Sequence, residues 1–405
     1  MKNLFAYITE GGASGHMKHP YDYTDYTLRD LKGLIRALFS GKVEDITEKI
    51  DGTNIQATMN TSGEVVFIRN KKDLNSAKGG MSIADMASKW ASMPKVAETF
   101  VNAGKTITKV FNKVGKDFFN PDSETRIVCN CECVIEGKTN IMYYSTSQVD
   151  FHDLWTYKKE GAEWVNVEVT KNGLNVIETA CEDIDNAQIT PKILIKTAEK
   201  SKDILVDYIK KLDKIFKNAQ CKEYDTIDTY RRHRFEQYCN EDSDLTFILD
   251  SKEGYELLYK RWFDFDKSVN IKKIKELYPG QEQALSDIDK NFSGQLYNNV
   301  TKDLDRFFIE LGNAIIDLCD GFINSGSKDI TIKLLQNDLE TTIHDVNAKD
   351  DGTLSAKLTR QLERIQDMHV NNAEGIVFRY KGKLQKLTGA FAPLNQILGM
   401  TRFNR

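Results

Sequence analysis

The sequence predicts an α+β fold, an antiparallel β-rich core interrupted by a large helical insert. Three observations carry this. Alternating apolar runs separated by turn residues crowd the stretch from Ile55 to Val169. From about residue 190, apolar residues recur instead at helical spacing and continue so to about 323. Strand-like alternation returns only near the end, at Gly375–Leu387.

In chain order, residues 1–30 form a Gly- and Tyr-rich segment holding Gly11-Gly12-Ala13-Ser14-Gly15-His16-Met17-Lys18-His19-Pro20. Its glycines expose backbone N–H groups and its His and Lys add cations, which suits phosphate wrapping as well as a plain flexible loop. Residues 31–185 are the first part of the core. Leu31, Leu34, Ile35 and Leu38 mark a helix to Phe39. Ile55–Met59, a turn at Asn60–Gly63 and Val65–Ile68 make a hairpin. Residues 82–118 read as helical, then Glu163–Val169 and Leu174–Glu178 as strands. Residues 186–365 are the helical insert, with faces at Leu205–Phe216 and Phe307–Leu318 and a further helix over Leu354–Met368. Residues 366–405 return to the core: a strand Gly375–Tyr380, a turn at Lys381-Gly382-Lys383, a strand to Leu387, and a tail.

The chain of 405 residues is long enough for two or three domains, and its 20 Phe, 16 Tyr and 4 Trp can fill a sizeable core. No apolar run is long enough to span a membrane, and the N-terminus lacks a signal-peptide pattern. The formal charge of −4 means that nucleic-acid binding requires a local basic surface. Seven cysteines at wide spacings point to a reducing, cytoplasmic setting. Cys129, Cys131 and Cys133 alternate onto one strand face as small core residues. The opposite face carries Glu132 among apolar neighbours, a carboxylate suited to ligand work.

The segment richest in chemistry is Glu48-Lys49-Ile50-Asp51-Gly52-Thr53-Asn54. A lysine precedes an Asp-Gly turn that lets backbone approach a ligand closely. Such a lysine is a covalent nucleophile once nearby cations or desolvation lower its pKa; taken alone, most matches to this pattern are solvated turn lysines. It is not alone. Arg69 ends the hairpin's second strand, Glu132 leaves another strand, Glu374 starts the Gly375 strand, and Lys386 lies on the returning strand. Cations for phosphates, and carboxylates for ribose hydroxyls or a divalent metal, are what a nucleoside triphosphate needs.

This order resembles the covalent nucleotidyltransferases: ATP-dependent DNA ligases, RNA ligases and mRNA capping enzymes. Lys49-Ile50-Asp51-Gly52 matches the family's KxDG motif, and the wider stretch is most similar to the double-strand-type RNA ligase branch. The resemblance implies an antiparallel-sheet, ATP-grasp-like ligase core, with ATP and Mg²⁺ (or Mn²⁺) as cofactors. It implies Lys49 as the adenylated nucleophile, with Asp51 and Gly52 shaping the nucleotide site. Glu48 and Asn54 support the adenosine, and Arg69 and Glu132 contact the sugar. Phe151 or His152 stacks on the base, Glu374 is linked to metal, and Lys386 contacts phosphate. It spans residues 46–155 and 370–390.

The family's last motif carries two lysines at K-x-K spacing. Here position 384 is Leu, so Lys383 serves only if the turn is bulged. The tail after Lys386 leaves no room for the domain with which ligases engage nucleic acid, and the insert is expected to replace it. There, Arg231, Arg232 and Arg234 lie between Tyr230 and Phe235, a pattern suited to phosphate contact and base stacking, or to a solvated helix face. The opening segment is similar to that of tailed-phage proteins, which implies a viral origin and the host cytoplasm. The leading expectation is an ATP-dependent polynucleotide ligase, for RNA ahead of DNA, with nucleic-acid ends or nicks as partner and no membrane. Two rivals are a nucleotidyltransferase modifying or capping another acceptor, and a non-catalytic nucleic-acid-binding or virion assembly protein with a ligase-like fold.

Overall fold

The computed structural model describes residues 17–138, 141–170, 172–196, 201–323, 328–347, 355, 356, 358–360, 362, 363, 371 and 373–391. Most of the glycine-rich opening, most of the helix expected over Leu354–Met368 and the tail from 392 lie outside them. The fold is mixed α and β with antiparallel sheets. Among the described residues no helix is long and apolar enough to cross a membrane.

The chain divides into two compact units. The β-rich unit comprises Glu44–Leu194 and Cys319–Arg405, with Met1–Met17. Its strands of three or more residues, among the described residues, are β1 (Glu44–Lys49), β2 (Thr53–Met59), β3 (Val65–Ile68), β4 (Thr125–Val134), β5 (Gln148–Glu160), β6 (Glu163–Thr170), β7 (Ala187–Ile189), β8 (Gly375–Tyr380) and β9 (Lys383–Thr388). One sheet has the order β3-β2-β4-β5-β6, with β7 added in parallel to the start of β5. A second has the order β1-β8-β9, so residues 44–49 pair with residues 375–380.

The core lies on one face of the larger sheet. Ile55, Ala57, Cys129, Cys131, Cys133, Val149, Phe151 and Leu154 pack there against the helices Pro94–Val114 and Leu174–Cys181. Strand alternation delivers these side chains to one side and leaves Asn54, Gln56, Asn130, Glu132 and Asp150 on the other. The cysteine run is therefore core, and all seven thiols are free.

Leu174–Glu178, read as a strand, is a helix. Left-handed Gly173 (φ 89°) turns the chain, and Leu174, Ile177, Ala180 and Cys181 then bury one helical face. The helix Lys328–Asn347 belongs to this β-rich unit, where Leu335 and Leu339 pack with Ile141.

The helical unit comprises Lys18–Val43 and Ile195–Leu318. The helix Leu28–Phe39, capped by Thr27, thus belongs here and not with the sheets. It buries Leu31, Leu34, Ile35 and Leu38 fully, as its spacing predicts. The helices Ser201–Asn218, Ile227–Glu241, Lys252–Trp262 and Ser293–Ile316 are the other long helices of the unit. Much of its core is aromatic: Phe235 packs against Tyr255, Trp262 and Phe263.

Candidate functional site

β1 runs in the small sheet and β2 in the large one, so Ile50-Asp51-Gly52 carries the chain across from one to the other. Lys49 is the last residue of β1 and pairs with Gly375, the first of β8. Glu374 directly precedes that strand. Their side chains meet at this strand end: Lys49 Nζ lies 2.5 Å from Glu374 Oε1, with side chains 11% and 2% exposed. In so dry a setting each charge offsets the desolvation of the other.

The crossing is fastened from below. Asp51 Oδ2 accepts the backbone N–H groups of Ile141 and Met142, each at 2.6 Å, and the Asp51 N–H donates to the Tyr144 hydroxyl at 2.8 Å. Asp51, expected in the nucleotide site, spends its carboxylate on this anchoring. Burial, with Asp51, Glu48 and Glu374 nearby, pushes the Tyr144 phenol up. A Cβ on Gly52 would stand 2.7 Å from the Cys133 carbonyl oxygen and 2.8 Å from Glu132 Cγ. The crossing therefore lies flat on β4, and only glycine fits.

Asn54 and Glu132 face each other across β2 and β4. Asn54 Nδ2 donates to Asn130 Oδ1 at 2.9 Å and to Glu132 Oε2 at 3.3 Å. Arg69, just past β3, donates to the Asn54 carbonyl and lies over the Phe100 ring at 5.4 Å. Burial pulls the Arg69 pKa down, and the nearby Glu132 carboxylate opposes that. Lys49 and Glu374 on one sheet, the Gly52 crossing, and Asn54, Arg69 and Glu132 on the other thus form one neighbourhood.

Glu48 alternates to the other side of β1 from Lys49 and pairs with Ile376. It is buried. Its Oε2 accepts the Ile323 N–H at 2.7 Å, while Oε1 has no hydrogen-bond partner among the described residues. Burial pushes its carboxyl up to about 8, and Asp150 adds to this. Its buried setting thus favours the neutral acid.

The lysines of the final hairpin separate. Lys386 pairs with Val377, which pairs with Thr47, so Lys386 leaves the sheet on the side of Thr47 and Lys49. Lys383 pairs with Tyr380 beside the turn, and the register from there to Thr388 is unbroken. Without a bulge, Lys383 projects on the opposite face from Lys386. The substitution of Lys383 for the missing motif lysine therefore has no support in the geometry.

For the aromatic, the two choices fall on different faces. Phe151 is fully buried against Phe111 in the helix-side core. A bulge between the pairs Asn130↔Asp153 and Cys131↔Phe151 inserts His152, which the extra residue turns toward the polar face. There His152 Nδ1 lies 2.7 Å from Asp153 Oδ2 and acts electrostatically on Asp150. Stacking on a base by Phe151 is thus ruled out by its burial, and His152 is the aromatic on the site's face.

Arg231, Arg232 and Arg234 each make contacts inside the helical unit, though Arg231 Nε and Arg234 Nε have no hydrogen-bond partner among the described residues. Arg231, 5% exposed, donates to the Tyr21 carbonyl. Arg232 binds Asp228 and Glu256 and lies 4.0 Å from the Tyr259 ring centre. Arg234 binds Gln237 and approaches Asp303. Arg231 lies on the buried face of this helix with Ile227, Tyr230, Phe235 and Cys239, and Arg232 and Arg234 are half-buried beside it, so the three are packing elements and not an open phosphate surface.

Asp150 was missed from sequence. It pairs with Glu132, is fully buried, and accepts hydrogen bonds from Gln188 at 2.7 Å and Gln148 at 2.8 Å. Burial raises its carboxyl to about 6. Only the register between β4 and β5 singles it out. Among the described residues no three His, Cys, Asp or Glu side chains are grouped to hold a metal ion. No protein-family model matches the chain, and none of the curated proteins matches it.

Proposed function

We propose that this protein is an ATP-dependent nucleotidyltransferase that adenylates Lys49 and passes AMP to a nucleic-acid end, RNA ahead of DNA. The observation that carries the reading is the Lys49–Glu374 contact at 2.5 Å, beside the glycine crossing packed on Glu132. The Lys49 amine attacks the α-phosphorus of ATP. An N–P bond forms, the bond to the bridging oxygen of the β-phosphate breaks, and pyrophosphate leaves. Glu374 Oε1 is within reach to take the ammonium proton that must be lost first.

Two features fit a bound nucleotide. The Gly52 backbone hugs β4 where a Cβ would block approach, and the buried Glu48 Oε1, which carries the proton when the carboxyl is neutral because Oε2 accepts the Ile323 N–H, is a donor for an acceptor such as a purine ring nitrogen. Glu374 fits Mg²⁺, which is commonly held by one or two carboxylates together with substrate phosphates. When bound, that cation would neutralise phosphate charge and lower the lysine pKa. Asn54 and Arg69 orient the sugar side through Glu132, and Lys386 supplies charge to the phosphates from the face of Lys49. Transfer then joins AMP to a 5′-phosphate, and a 3′-hydroxyl displaces it to seal the strand. The test is incubation with α-labelled ATP and Mg²⁺: label is expected on native protein and none on Lys49→Ala.

A further inference from the structure

The helical unit holds a cavity of about 680 Å³ that the proposed reaction does not use. The buried Leu245, Ile288 and Leu296 give it an apolar lining. Asp242 and Asp244 line it from the segment after the helix Ile227–Glu241, and Asp287 from the end of the helix Glu282–Asp287. A concave site of this volume takes a small molecule.

Its charge has one sign. The lining, among the described residues, contains no Lys, Arg or His. Other acids of the unit are matched by cations: Asp228 and Glu256 by Arg232, and Asp289, two residues past Asp287, by Arg261. Asp242, Asp244 and Asp287 form no ion pair among the described residues. Asp242 accepts the Asp244 N–H, and Asp287 accepts the Gln283 amide. Nor are the three grouped to hold a metal ion.

The wall past Asp287 departs from regular helix. Ile288–Phe292 form a π turn between the helices Glu282–Asp287 and Ser293–Ile316, and both of its ends, Ile288 and Phe292, line the cavity. Such turns are frequent at functional sites. Phe292 is 53% exposed, a large aromatic ring that lines a cavity and is open to solvent. The face of such a ring attracts an ammonium group.

We infer that this cavity binds a linear polyamine. Its ammonium groups meet Asp242, Asp244, Asp287 and the Phe292 ring, and its methylenes lie along Leu245, Ile288 and Leu296. Carboxylates set apart on two elements call for charges set apart on one ligand, which a single metal ion lacks. The apolar lining calls for a hydrocarbon linker between those charges. The site lies within the helical unit and does not rest on the proposed function.

The experiment is calorimetric titration of the full chain with spermidine and, separately, with an acetylated and amidated trilysine peptide of the same charge. Native protein is expected to bind spermidine. Asp287→Asn is expected to weaken it on the order of tenfold, and Phe292→Ala about two- to fivefold. Asp244→Asn, at an exposed position, carries the test if Asp287→Asn fails to fold. Asp207→Asn, an exposed acid outside the cavity lining, should leave the affinity unchanged. No binding by native protein, or affinity unchanged in the folded cavity variants, would overturn the site. So would an equal loss in Asp207→Asn, the mark of unspecific attraction to acids. Trilysine bound more tightly than spermidine, and weakened by Asp287→Asn, would overturn the polyamine and give the cavity to a basic protein segment. Lys49 adenylation is read independently by intact mass, so either proposal can fail alone.

Discussion

Lys49 Nζ and Glu374 Oε1 stand 2.5 Å apart, joining the end of β1 to the residue that opens β8. Removing one member of so dry a pair strands the other charge, at a cost of about 3–5 kcal/mol. Glu374→Ala and Lys49→Ala are each expected to lose stability of that size. Lys49→Met with Glu374→Leu should recover most of it, because no charge is then left buried. Urea unfolding of the three variants checks this; equal losses in single and double variants would contradict it.

Glu48 makes stability depend on pH in an unusual direction. Its carboxyl is raised to about 8 in the folded chain, against an ordinary value of 4.5. Between those values the folded state holds a proton that the unfolded state has released, so stability falls as pH rises from about 4.5 to 8. Asp150, raised to about 6 from 3.8, contributes likewise over its lower window. Glu48→Gln keeps the acceptor for the Ile323 N–H and cannot ionise. The variant should match native protein near pH 4.5 and exceed it increasingly toward pH 8, as thermal unfolding across that range would reveal.

Gly52→Ala tests the close approach of the crossing to β4. The new methyl would meet the Cys133 carbonyl at 2.7 Å and Glu132 Cγ at 2.8 Å, and neither the carbonyl nor the strand can easily retreat. A loss of about 1–3 kcal/mol is expected, with weaker nucleotide binding because Glu132 must move. Isothermal titration with ATP and a thermal melt would report the two effects separately.

Arg232→Ala in the helical unit is expected to lower the melting temperature and leave nucleic-acid affinity unchanged. Its guanidinium is occupied by Asp228, Glu256 and the Tyr259 face. Filter binding with a labelled RNA, beside a melt, distinguishes this from a phosphate-contact role; a large affinity loss without a stability loss would refute it.

Much of the β-rich unit was legible because its signals are local. The β2–β3 hairpin follows from alternation around Asn60–Gly63, and Cys129, Cys131 and Cys133 share the core face that period-two spacing demands. The strand positions of Lys49 and Glu374 were legible as well, at the end of one strand and just before another, and so was the face of Glu132, opposite the cysteines. What escaped depends on register between distant segments. Asp150 matters because it stands opposite Glu132, and His152 replaces Phe151 on the polar face because of one inserted residue. Lys383 fails for the same reason in reverse, since an unbroken register fixes its face. Tyr230–Phe235 reads as a basic aromatic patch, and only tertiary packing reveals that Arg231 is buried against the Tyr21 carbonyl and that Arg232 is held by Asp228.

Capture of the α-phosphorus of ATP by the Lys49 amine leaves AMP on the chain. Intact-mass spectrometry after incubation with ATP and Mg²⁺, followed by peptide mapping, detects it. A mass gain of one AMP is expected, localised to the peptide containing Lys49 and absent from Lys49→Ala. Protein that gains no nucleotide, or carries it on a residue other than Lys49, would contradict it.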